Sequence, residues 1–174
     1  MMDKPILVTG IHRSGTTFVG KMLSLKMNIG YIHEPFNPKS GLQIFDKQYK
    51  YLKNDDNKYN EYLKALLNLN KVKFHIYPFS NNSTVINKKK DILKYFFNNP
   101  SVNNFFKSLL KIIFRSKSQI KYSLLRFNPL ITRLLIKDPL AAFSAKYLSN
   151  KYNCSVVIMI RHPLSFIASI KRLN

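Results

Sequence analysis

Three short stretches of the 174-residue chain carry side chains whose types and spacing suit work on an anion. The first is "GIHRSGTT", residues 10–17, in which Gly10 and Gly15 stand five apart with Arg13 between them and Thr16 and Thr17 following. Glycines let a backbone turn with its N–H groups pointing inward. A helix beginning near Thr16 adds unpaired N–H groups and the positive end of its dipole. Arg13 supplies a planar, permanently charged fork that matches phosphate or sulfate oxygens. An ordinary strand-to-helix turn capped by Ser14 would explain the glycines alone; the full Arg-Ser-Gly-Thr-Thr run favours an anion site. The second stretch is "VVIMIRHPLSFIASIKR", residues 156–172, where Arg161 and Ser169 are eight apart. Pro163 suits a first helical position, and Ser165, Ser169 and Arg172 then share one helix face. Leu164, Ile167 and Ile170 form the other side, so a core-packed helix with solvated polar residues explains this stretch equally well by itself. The third is "YIHEPFNP", residues 31–38, with His33 and Glu34 beside each other; Glu34 is one of two glutamates in the chain. A carboxylate or imidazole here suits a general base. A structural pairing of Glu34 with Arg13 or another basic group fits the sequence as well.

The elements that must position these residues read as an α/β alternation. An apolar run enters Gly10, a helical run leaves Thr16, and "IGYIH" is a second extended piece. Later, "TRLLIK" reads as a strand, "DPLAAFSAKYLSN" as a helix, "CSVVIMI" as a buried strand and "HPLSFIASIKRL" as a helix. Strands alternating with helices imply a parallel sheet with right-handed crossovers. The near-continuous apolar strands suit a sheet covered on both faces, a three-layer arrangement. Residues 39–128 are rich in Lys, Asn, Tyr and Phe, with helical spacing in "YNEYLKALLNL" and "NNFFKSLLKIIFRS". They are expected to form a mainly helical insert within a single domain spanning 1–174.

Composition sets the class. A hydrophobic fraction of 45% with 13 Phe argues for a globular domain. Lys+Arg is 29 against 8 Asp+Glu, a formal charge of +21 that draws anions. The single Cys154 excludes an internal disulfide framework and a cysteine zinc site, and reads as a buried small hydrophobe. No signal peptide and no run of about 20 apolar residues appears, so a cytoplasmic chain without a transmembrane segment is expected. His12 sits inside the glycine loop, within reach of the anion; His75 and His162 have no partners at ligand spacing, and no metal is expected.

The first stretch has the glycine spacing of the nucleotide-triphosphate phosphate loop, but Thr16 stands where that loop has lysine. "HRSGTTFVGKML" instead resembles the 5′-phosphosulfate loop of the PAPS-dependent sulfotransferases, most closely the carbohydrate and bacterial branch with an Arg-Ser-Gly-Thr-Thr-Phe type of loop. "VVIMIRHPLSFIASIKR" resembles the same family's 3′-phosphate element, and the Glu-Pro pair recurs in the same branch. The resemblance implies a core like that of the phosphate-loop NTPases and transfer of a sulfuryl group from 3′-phosphoadenosine-5′-phosphosulfate to a hydroxyl, carbohydrate being favoured. It implies donor contacts from Arg13, Ser14, Gly15, Thr16, Thr17, Phe18, Arg161 and Ser169, with no magnesium. Arg13 would assist catalysis, and Glu34, or second His33, would be the base; Lys-Asp-Pro stretches in bacterial relatives place Lys137 near the site. Asp138 faintly suggests a kinase's magnesium aspartate, but reads better as a helix cap with Pro139 following. Relatives usually continue beyond the second motif, so the sequence is expected to be a fragment or truncated frame. Two alternatives stand beside this reading: a phosphate-loop kinase, and a binding module whose basic aromatic residues 103–127 meet acidic membrane or nucleic acid.

Overall fold

The computed structural model describes residues 2–53, 55–75 and 116–171. Among the described residues, four strands form one parallel sheet: β1 (Ile6–Gly10), β2 (Ile29–His33), β3 (Arg133–Lys137) and β4 (Ser155–Met159), in the order β2-β3-β1-β4. Helix α1 (Thr16–Leu23) joins β1 to β2 across β3. A 3-10 helix (Pro139–Ser144) and α4 (Ala145–Tyr152) join β3 to β4 across β1. These connections leave adjacent strands in opposite directions. Right-handed crossovers therefore lay α1 and α4 on opposite faces and open a crevice beyond the carboxyl ends of β1 and β3. The register brings those ends level, pairing Val8 and His33 each with Lys137, and Gly10 with Met159.

Alternation along the strands divides the faces. Leu7, Ile32, Leu134 and Ile136 point into the main core, where they meet Leu148 of α4. Leu63 and Leu66 of α2 (Asn57–Leu67) and Tyr122 of α3 (Lys117–Phe127) join the same core. Each such fully buried Leu stabilises by roughly 1.5–3 kcal/mol. Ser116 caps α3 by accepting from the Gln119 N–H, and the Tyr122 hydroxyl donates to the carbonyls of Leu66 and Asn70, which anchors α3 to the end of α2. Of the helical runs expected in 39–128, "YNEYLKALLNL" overlaps α2, while residues 103–115 of the other lie outside the described residues. Cys154 is buried, and burial pushes its thiol up to about 11.

Two expectations are overturned. Residues 138–150 form no single helix: six residues after Asp138 wind as a 3-10 turn before α4 begins at Ala145. Nor, among the described residues, is β4 covered on both faces: Ile158 is 60% exposed, and β4 is the edge strand of the sheet those residues form. Among the described residues, β1 is the strand that pairs with it. The apolar side of α5 (Pro163–Lys171) is likewise exposed at Leu164, Ile167 and Ile170, and only Ser169 of that helix is buried. No described helix is long and apolar enough to cross a membrane.

Candidate active site

The loop after β1 is built on backbone that glycine makes possible. Gly10 has φ 144°, and a side chain there would strike the Met159 carbonyl; Gly15 has φ 91°. Arg13 adopts the left-handed region without being glycine, at φ 65°. Such backbone costs on the order of 1–3 kcal/mol and persists where surrounding structure over-determines it. Ser14 does not cap the helix as the ordinary-turn alternative required. Its hydroxyl turns back to donate to the Ile11 carbonyl at 2.6 Å, and α1 begins with no side-chain cap and no acidic residue in its first turn. The helix's positive end thus opens onto the loop uncompensated. Thr16 is buried, whereas Thr17 and Phe18 face solvent, Phe18 at 69% exposure.

The second motif reaches this loop directly. The Arg161 guanidinium donates to the Arg13 carbonyl at 2.6 Å, and Arg13 Nε donates to the Ser169 hydroxyl at 3.1 Å. Residues 148 and 156 positions apart in sequence therefore meet, because β1 and β4 are neighbours ending level at Gly10 and Met159. Ser165 is exposed on the same helix, and Arg172 lies outside the described residues.

On the other side of β1 stands Glu34, at the end of β2, also in left-handed backbone with φ 47°. Its N–H donates to the Lys137 carbonyl at 2.8 Å. Lys137 Nζ meets Glu34 Oε1 at 2.5 Å, and Asn37 Nδ2 donates to Oε2 at 3.0 Å. Lys137 is 1% exposed, so its charge is tolerable only because of this partner. Of the structural pairing expected for Glu34, with Arg13 or another basic group, it is the second that forms, with Lys137. Burial pushes the Glu34 carboxyl up, but the bonds from Lys137 and Asn37 and the nearby charges of Lys137 and His33 outweigh it and hold the group below 4.5. His33 Nε2 lies 3.6 Å from the same carboxylate, and its Nδ1 is 3.3 Å from the Tyr31 hydroxyl. Burial first and Lys137 second keep His33 below 6.5. Both base candidates are therefore unprotonated at neutral pH. Burial and the Glu34 charge push Tyr31 up to about 12, so it stays a phenol.

Asp138 is fully buried and accepts from the N–H groups of Leu140 at 2.9 Å and Phe36 at 2.6 Å. The first bond is the cap read from the sequence. The second was not legible: it pins the Glu34-Pro35-Phe36 turn to the end of β3. Burial pushes this carboxyl up to about 7. His75 approaches the Phe45 carbonyl and His162 caps the Leu164 N–H; among the described residues no three potential ligands cluster for a metal.

Sequence reasoning missed Asn37 and Tyr31, which only the β2 register and the turn after it bring to Glu34. It also left Tyr49 unremarked, whose hydroxyl contacts His12 Nδ1 in the glycine loop. The combination can grip an anion at the loop, a second anion at Arg161 and Ser169, and a proton at Glu34 or His33. The family model described as the sulfotransferase family matches residues 5–174. No curated protein and no solved structure matches the chain.

Proposed function

Because the chain belongs to the sulfotransferase family, we propose that it moves a sulfuryl group from 3′-phosphoadenosine-5′-phosphosulfate to a hydroxyl of a carbohydrate. One observation carries the donor reading above the rest: the chain's two basic motifs converge, Arg161 and Ser169 each bonding to Arg13. A nucleotide charged at both its 5′ and 3′ positions calls for two such cradles side by side. The residues fit it: an uncapped helix start, a glycine turn and Arg13 suit the 5′ end, and Arg161 with Ser169 suits the 3′-phosphate. Phe18, exposed beside the loop, offers a ring face to the base.

Glu34, ionised and fixed by Lys137 and Asn37, takes the proton of the acceptor hydroxyl. The freed oxygen bonds to sulfur as the bond from sulfur to the phosphate oxygen breaks. Arg13 and the loop N–H groups meet the negative charge that gathers on the leaving oxygen, and so act most strongly in the transition state. Catalysis is then mainly positioning and electrostatics, as in phosphoryl transfer. The kinase alternative is disfavoured by Asp138, whose two oxygens are engaged by buried backbone N–H groups. Calorimetric titration tests the proposal. Adenosine 3′,5′-bisphosphate should bind without magnesium and Mg-ATP should not compete; magnesium-dependent ATP binding with no bisphosphate binding would refute it.

A further inference from the structure

We propose that Tyr49, Phe143 and His12 form an open ledge on which the ring of the sugar acceptor lies, an inference that rests on the sulfotransfer reading above. The three rings are in contact. Tyr49 meets His12 edge-on with centroids 5.8 Å apart, and meets Phe143 edge-on at 5.9 Å. Tyr49 is 39% and Phe143 62% exposed, so their outer surfaces are free for a ligand.

The ledge belongs to the same framework as the proton acceptor. Phe143 sits near the end of the 3-10 helix that starts directly after Lys137 and Asp138. The Ser144 hydroxyl donates to the Lys50 carbonyl and so ties the Tyr49 turn to that helix. At the other end, His12 is the residue before Arg13. Tyr49 is held in left-handed backbone at φ 53°, as Arg13 and Glu34 are, and its contact with His12 brings it to the loop after β1. None of the bonds joining Arg13, Arg161 and Ser169 uses a ledge residue.

Its chemistry suits a pyranose. The C–H face of such a ring packs against an aromatic face, while its hydroxyls need polar partners at the rim. Here the Tyr49 hydroxyl engages His12 Nδ1, which leaves Nε2 to meet an acceptor hydroxyl. A small phenol is favoured by an enclosed apolar slot, whereas these rings stand edge to edge on open surface.

The test is saturation-transfer NMR titration of the full chain with chitotriose, a hyaluronan tetrasaccharide and p-nitrophenol, with and without adenosine 3′,5′-bisphosphate. Saturation of sugar ring protons is expected for at least one sugar. Phe143→Ala and Tyr49→Ala should each weaken that sugar about fivefold, the loss of one ring contact. Tyr49→Phe, which keeps the ring, should recover most of it. Both side chains are exposed, and unchanged thermal midpoints would show the variants folded. Saturation of p-nitrophenol alone, of no probe, or of sugar equally in wild type and folded variants would overturn the ledge. Failure of the bisphosphate to bind would refute the donor reading instead, and the sugar titration without nucleotide still decides the ledge.

Discussion

Glu34 is opposed by burial and rescued by two donors, and that balance makes its role measurable. Its carboxyl is held below 4.5, so the acid limb of kcat/KM should fall below that pH. Lys137→Met removes the strongest stabiliser of the charge while burial remains, so the limb should move to higher pH. Glu34→Gln should cost on the order of 10²- to 10⁴-fold in kcat with bisphosphate affinity unchanged. His33→Asn should cost less than about tenfold if His33 only borders the base. The reverse ranking, with an acid limb in the histidine range, would give the proton to His33. Radiolabelled sulfuryl transfer measures all three variants. At this scale the glycine loop was legible because its spacing is local. The Glu34–Lys137 pair was half legible: both residues stood out, but only strand pairing across 103 positions joins them. Tyr49 carried no signal at all, since one tyrosine among several in a polar stretch looks like any other.

Asp138 joins elements as well as capping one. Its carboxylate holds the turn after β2 to the end of β3, and asparagine has only one oxygen for the two N–H groups. Asp138→Asn should therefore destabilise by about 1–3 kcal/mol in urea unfolding, and a loss under about 0.5 kcal/mol would deny it that role. The pH dependence adds a second readout. The folded carboxyl, pushed up to about 7 from 3.8, binds its proton more tightly than the unfolded one. Its contribution is full below 3.8 and is lost as pH rises through about 7, so the gap between wild type and variant should narrow over that interval. The four strands were legible because apolar runs bounded by turns and helices are local patterns. Their coverage was not: "VVIMI" reads the same at a sheet edge as in a sheet centre, and among the described residues β4 is the edge. The 3-10 turn after Asp138 likewise escapes a pattern of periods, because proline at its start suits either helix.

Across the whole molecule, 29 basic against 8 acidic residues set a field that favours a multiply charged nucleotide. Raising salt from about 50 to about 500 mM should weaken adenosine 3′,5′-bisphosphate severalfold, as screening shortens the field's reach. Adenosine itself should be indifferent to salt. The parallel α/β layout was legible from alternation, and it places a crevice at the ends of β1 and β3. The meeting of the chain's two motifs was expected from the resemblance rather than from any local pattern, since it depends on β4 lying beside β1. That meeting is the central claim: one cradle from each end of the polypeptide, holding one nucleotide between them. The direct measurement is calorimetric titration of the Arg161→Ala variant with adenosine 3′,5′-bisphosphate and, separately, 5′-AMP. Removing a charge-assisted phosphate contact should weaken the bisphosphate by at least about tenfold and leave 5′-AMP nearly unchanged. Equal losses for both nucleotides, or no loss for either, would contradict the account.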